Sequence, residues 1–116
     1  YDEMTAAERG EIWYTEFGCA GCHNTTGEPG LAGPTWQGIY GREELLTDGS
    51  TITVDDAYIR DSIINPNKQI VDGFAEGIMP ENFTDRFDEK QAEILVNEGI
   101  EIDIIDDLIS FMQTIE

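Results

Sequence analysis

Cys19-Ala20-Gly21-Cys22-His23 is the stretch on which the reading of this chain turns. It holds both cysteines and the only histidine of the 116 residues. The spacing is that of the c-type haem attachment signal. Two thiols three residues apart can each add to one of the two vinyl groups of a haem. The adjacent imidazole then lies under the iron as its proximal ligand. Other uses of the same residues meet obstacles. A thioredoxin-like redox pair sits in a βαβ context, which the pattern here lacks. A zinc site takes four ligands, and no second Cys or His cluster is present. A disulfide across two intervening residues would leave His23 without a role. One covalently held haem c is therefore the expected cofactor.

The sixth ligand of the iron has to come from elsewhere. With a single histidine the iron cannot carry two imidazoles, and methionine is the usual alternative, raising the reduction potential. The candidates are Met4, Met79 and Met112. Met4 lies ahead of the first helix, outside the core. Met112 continues an apolar helical stripe, which reads as packing. Met79 stands in Gly77-Ile78-Met79-Pro80, an irregular loop with a proline to hold its backbone, and is the expected ligand.

Outward from the motif, the elements are short. A first helix is expected from a Thr5 N-cap, with Glu8 at the capping-box position, through Ile12, Trp13 and Phe17 to a stop at Gly18. Residues 24–40 read as a loop, with Gly30, Gly33, Pro34 and Gly38 as punctuation. Loops of that length in small domains are usually functional, and this one suits the face of a flat cofactor. Asp48-Gly49 reads as a tight turn between short strands around Leu46 and residues 52–54. A second helix is expected over 54–64, capped by Thr53 with Asp56 three residues on, ending before Asn65-Pro66. A second irregular stretch, 65–83, carries Met79. Then come a helix over about 88–97, a stop at Gly99 and a last helix over about 103–115. The stripe Ile104, Ile105, Leu108, Ile109, Met112 and Ile115 is the clearest amphipathic signal in the chain. The expected fold is all-α, one domain over 1–116, with at most a very short β-hairpin. Such a chain has a thin core for two long loops, and a flat apolar haem would fill it.

Charge excludes whole classes of function. The chain has 25 acidic side chains against 6 basic ones, a net charge of −19 with the histidine neutral. Binding to a nucleic-acid backbone needs clustered Lys and Arg, and an anionic membrane surface would repel this chain. The hydrophobic fraction of 40% is well above that of a disordered acidic tail. No apolar run reaches the roughly 18 residues that cross a bilayer, so no direct insertion is expected of this stretch. Tyr1-Asp2-Glu3-Met4 has neither the basic nor the apolar region of a signal peptide. The first residue is not Met, which points to a mature product or an excised domain, so missing targeting segments carry no weight for the cytoplasm. The acidity itself has two readings: solubility or a saline habitat, and steering toward a basic partner.

These residues together resemble a class I cytochrome c. Gly10 and Tyr14 match the small and aromatic positions of the family's first helix, and Phe111 matches the aromatic of its last helix. Gly33-Pro34-Thr35-Trp36-Gln37-Gly38-Ile39-Tyr40-Gly41-Arg42 resembles its loop on the proximal side of the haem. The resemblance implies that the Pro34 carbonyl accepts a hydrogen bond from His23, that Trp36 and Tyr40 line the haem cavity, and that Arg42 approaches a haem propionate. Plain core packing is the alternative for Trp36 and Tyr40.

One branch is more similar still. Gly41-Arg42-Glu43 through Asp48-Gly49-Ser50, then residues 56–63, residues 65–74 and Met79-Pro80 resemble the C-terminal cytochrome c domain of subunit II in caa-type haem–copper oxidases. The likeness runs over about residues 8–83 and resumes at 108–111. Two departures stand out. The segment between Pro80 and the last helix is longer than that branch has, which implies an extra helix at 88–97, either a lid over one haem edge or surface decoration, the commoner fate of an insertion. The copper-binding domain and membrane helices of those subunits do not occur in this sequence, so an excised domain and a free-standing soluble or tethered cytochrome both stay open.

The resemblance implies one-electron transfer and not catalysis, with His23 and Met79 both bound to the iron. The implied acceptor is the dinuclear copper centre of the oxidase, and the donor a quinol-oxidising complex or another small redox protein. Covalent haem is attached outside the cytoplasm in bacteria, which implies a periplasmic or extracytoplasmic location at the membrane. A ligand-binding haem sensor or small peroxidase would need an open sixth position, and a zinc or metal-free interaction module would be colourless.

Overall fold

In the computed structural model, which describes residues 1–28 and 30–116, Thr5 caps the first helix, α1 (Ala6–Glu16). The Thr5 N–H donates to the Glu8 carboxylate at 2.9 Å, and the Glu8 N–H donates to the Thr5 hydroxyl at 3.1 Å. This is the capping box expected from the sequence. Gly18 then takes a left-handed conformation, φ 79°, open to glycine without strain. It turns the chain into one turn of 3₁₀ helix, Cys19–Gly21.

After the first long loop comes an antiparallel hairpin, β1 (Glu43–Leu45) and β2 (Thr51–Thr53), with Glu44 opposite Ile52. Leu46 falls outside the strand expected around it. It forms an isolated bridge to Val71 instead, tying the hairpin to the second loop. Helix α2 (Asp56–Ile64) starts later than 54, and its cap is Asp55, not Thr53. The Asp55 carboxylate accepts the Tyr58 N–H at 2.8 Å. Thr53 is committed to β2, and Val54 has both backbone groups engaged. Its N–H donates to Arg42 at 2.8 Å and its carbonyl accepts from Gly41 at 2.7 Å, so a helix cannot begin there.

Helix α3 (Phe83–Glu98) begins before the residue 88 expected for it. Thr84 and Asp85 are weak helix formers, but Phe83, Phe87 and Ile94 are buried on one face, and that packing wins. Gly99 ends it in a left-handed conformation. Helix α4 (Ile104–Gln113), capped by Asp103, buries Ile104, Ile105, Leu108, Ile109 and Met112, while Ile115 lies past its end.

Helices α1 and α4 cross in close contact. A Cβ on Gly10 would collide with the Asp107 carbonyl and lie 2.7 Å from the Phe111 Cβ, so only glycine permits this approach. Asp107 sits buried at the crossing, held by Arg9 and the Trp13 indole. The architecture is small and mostly helical with one two-stranded hairpin, as expected. No helix among the described residues is long and apolar enough to cross a membrane.

Candidate cofactor site

The 3₁₀ turn after α1 presents Cys19 and Cys22, which are not bridged to each other. Burial pushes the Cys19 thiol up to about 11, against the lowering effects of a backbone hydrogen bond and of the Arg86 charge. The backbone of His23 is held from two sides. Its N–H donates to the Cys19 carbonyl at 2.9 Å, and the Tyr14 hydroxyl donates to its carbonyl.

The imidazole is held as firmly. His23 Nδ1 lies 2.8 Å from the Pro34 carbonyl oxygen. A carbonyl can only accept, so Nδ1 carries the proton and Nε2 keeps its lone pair. Burial pulls the imidazole below its ordinary value, with the Pro34 contact pulling the other way, which favours the neutral ring a metal needs. Gly33 packs against the ring itself. A Cβ there would stand 2.7 Å from Nδ1 and 2.9 Å from Nε2. Trp36, buried, stands beside the ring with centroids 5.4 Å apart.

These groups open onto a cavity of about 1160 Å³, its mouth included. Cys19, Cys22, His23, Pro34 and Trp36 share its wall with Met79 and apolar residues of the second loop such as Ile70 and Phe74. Helix α3 adds Phe83 and Phe87, and α4 adds Leu108 and Met112. Glu44, Tyr58, Ser62 and Gln69 make a polar part of the wall. Burial and the neighbouring Glu44 raise the Tyr58 phenol, against a hydrogen bond with Ser62, so it stays a neutral donor at physiological pH. Two thiols, an imidazole lone pair and a thioether around one largely apolar space fit a covalently attached haem.

Six of the eight expected site residues meet on this cavity. Tyr40 and Arg42 do not line it. Tyr40 is 38% exposed and donates its hydroxyl to Asp56. Arg42 donates to the carbonyls of Thr35 at 3.0 Å and Gln37 at 2.9 Å and pairs with Glu44. It thereby braces the loop that carries Pro34 and Trp36. Met112 is 3% exposed and packed in the core, although one edge reaches the cavity. Met4 does not line it.

Among the wall residues that escaped the sequence reading, Phe83 and Phe87 lie four apart on one helix face, and that spacing was their only signal. The helix expected at 88–97, as a lid or as surface decoration, is the outer part of a longer helix whose first turns wall the cavity.

A protein-family model described as Cytochrome c matches residues 7–97, from α1 through α3. A search of curated proteins finds no match to the chain.

Proposed function

Because the chain belongs to the cytochrome c family, and so is an electron carrier with one covalent c-type haem, we propose that His23 and Met79 hold its iron and that it delivers electrons to the dinuclear copper centre of a caa-type haem–copper oxidase. Bound haem supplies the one-electron change between ferric and ferrous iron. Cys19 and Cys22 would hold it through thioether bonds to its two vinyl-derived side chains. The Pro34 carbonyl fixes the tautomer and orientation of His23, leaving Nε2 for the metal, and Gly33 leaves the ring its room. The apolar wall keeps water from the redox centre.

The observation that carries the ligand assignment is the different standing of the methionines. Met79 lines the cavity on a loop, half-buried, whereas Met112 is locked in the α1–α4 core. Support for the oxidase comes from the ordered motifs at residues 41–50, 56–63 and 65–74 with Met79-Pro80. The location that goes with it is the extracytoplasmic face of the membrane, where covalent haem is attached. The donor is a quinol-oxidising complex or a small redox protein.

Met79→Ala tests the ligation. It lowers the reduction potential and abolishes the weak sulfur-to-iron absorption band of ferric methionine-ligated haem. A band that survives unchanged would pass the role to Met112.

A further inference from the structure

Cations are scarce in this chain, and nearly all of them are paired. Arg9 pairs with Asp107, Arg42 with Glu44, Arg60 with Asp103 and Asp106, Lys68 with Asp61, and Lys90 with Glu16 and Glu93. Arg86 is the sixth. Among the described residues it pairs with no carboxylate, in a sequence that carries 25 of them. Its guanidinium carbon stands 5.3 Å from the centre of the Phe17 ring and 5.2 Å from that of Phe83. Both distances are within the reach of cation–π attraction.

The two rings are themselves anchored. Phe87 meets Phe17 edge-on at 4.7 Å and stacks against Phe83 at 5.4 Å. Phe83 and Phe87 line the cavity, and the Arg86 charge is near enough to act on Cys19. An arginine in an ion pair presents a dipole to its surroundings, whereas this one presents a net charge.

We propose that Arg86 is a potential-setting residue: clamped over Phe17 and Phe83 beside the wall that carries Cys19, it holds an uncompensated positive charge against the cavity and raises the reduction potential of the haem. The inference rests on the cytochrome reading. Reduction lowers the positive charge of the iron by one, so a fixed cation nearby disfavours the oxidised state more than the reduced one. The clamp matters because a guanidinium free to swing outward would be screened by salt over about 10 Å. The acidic surface pulls the potential down, and Arg86 acts against it from close range.

Potentiometric titration of the haem-loaded protein decides the matter. Arg86→Gln keeps a long polar side chain and removes the charge. Its reduced-to-oxidised ratio at a fixed poise falls roughly threefold to tenfold, about 30 to 60 mV for one electron. Arg86→Lys keeps the charge and holds the parent potential. Phe17→Leu, outside the cavity wall, removes one face of the clamp and shifts the potential downward by less. An unmoved potential in Arg86→Gln overturns the proposal. So does Arg86→Lys falling as far as Arg86→Gln, which would make the effect one of packing. The Phe17→Leu arm stands even where Arg86→Gln does not fold, and no fall there overturns the clamp. The absorption spectrum of the parent separates the two levels of inference: a chain that binds no haem would sink the cytochrome reading, whereas intact haem with an unmoved potential sinks only the role of Arg86.

Discussion

Replacing Asp107 with alanine asks whether a buried ion pair holds α1, the helix that leads into the cysteine motif, against α4. The carboxylate is 2% exposed. Arg9 reaches it with Nε at 2.9 Å and Nη2 at 3.1 Å, and the Trp13 indole N–H donates to it at 3.0 Å. Truncation strands the indole N–H of the fully buried Trp13, at a cost of about 1–3 kcal/mol. It also deprives Arg9 of its counter-charge, and removing one partner of a buried pair costs about 3–5 kcal/mol in all. Arg9 keeps the Met4 carbonyl at 2.9 Å and is 18% exposed, which moderates the loss. The low end, about 3 kcal/mol, is expected, a large part of the roughly 5–15 kcal/mol that stabilises a domain. Asp107→Asn keeps an acceptor for Trp13 and costs less. In the double variant Arg9→Met with Asp107→Asn no buried charge is left alone, so its cost falls clearly below the sum of the two single losses. Guanidinium unfolding of the oxidised, haem-loaded proteins, followed by far-UV circular dichroism, measures each. A loss under about 1 kcal/mol for Asp107→Ala, or strictly additive losses in the cycle, would refute the reasoning.

Gly33→Ala forces a methyl into the His23 ring, costs about 1–3 kcal/mol as overpacking, and makes the low-spin ferric spectrum disappear at lower denaturant than in the parent; an unchanged midpoint would show that the loop yields freely. Glu8 is held below its ordinary value, first by the Thr5 backbone N–H and then by the Thr5 hydroxyl. Its contribution is therefore present above the ordinary carboxylate range and lost as pH falls through the lowered folded value. Parent and Glu8→Gln should differ in stability at neutral pH and converge in acid, and a constant difference would count against the capping box. Electron transfer to a basic redox partner should slow as salt is added, since screening shortens the reach of the field to about 10 Å at 0.1 M. A rate indifferent to salt would leave the acidity to habitat.

Pro34 and Trp36 were legible as cavity residues through the resemblance of their loop to that of a cytochrome c. Cys19, Cys22, His23 and Met79 were legible because local chemistry carries them, since the motif spacing and the one uncommitted methionine need no knowledge of tertiary structure. The α1 cap was legible for the same reason, since Thr5 and Glu8 are three residues apart. What escaped depends on partners distant in sequence. Thr53 looks like a cap until β1 claims it, and Val54 looks helical until Arg42 and Gly41 take its backbone groups. The first turns of α3 have weak local propensity and form because Phe83 and Phe87 find the cavity and Phe17. Arg42 resembles a propionate partner in sequence, yet its nitrogens are turned to Thr35, Gln37 and Glu44.

The −19 charge takes on a different meaning once the cations are located. Arg9 joins α1 to α4, Arg60 joins α2 to the start of α4, Lys90 joins α3 to α1, and Arg42 joins the hairpin to the first loop. Each links segments that the excess of carboxylates would otherwise push apart. Apart from the buried Arg9–Asp107 pair, these are at least partly exposed and contribute little singly, about 0–1 kcal/mol, but the placement of all of them leaves almost no positive charge free on the outer surface. The external field is then that of the acids alone, in contrast to a carrier that surrounds its redox edge with lysines. A partner drawn in by this field has to be basic, and close contact at the cavity mouth has to be made by apolar side chains such as Ile78, which is 51% exposed beside Met79. Arg86 is the exception to this arrangement. Held inward over two rings, it adds little to the outer field and acts on the centre that the field surrounds.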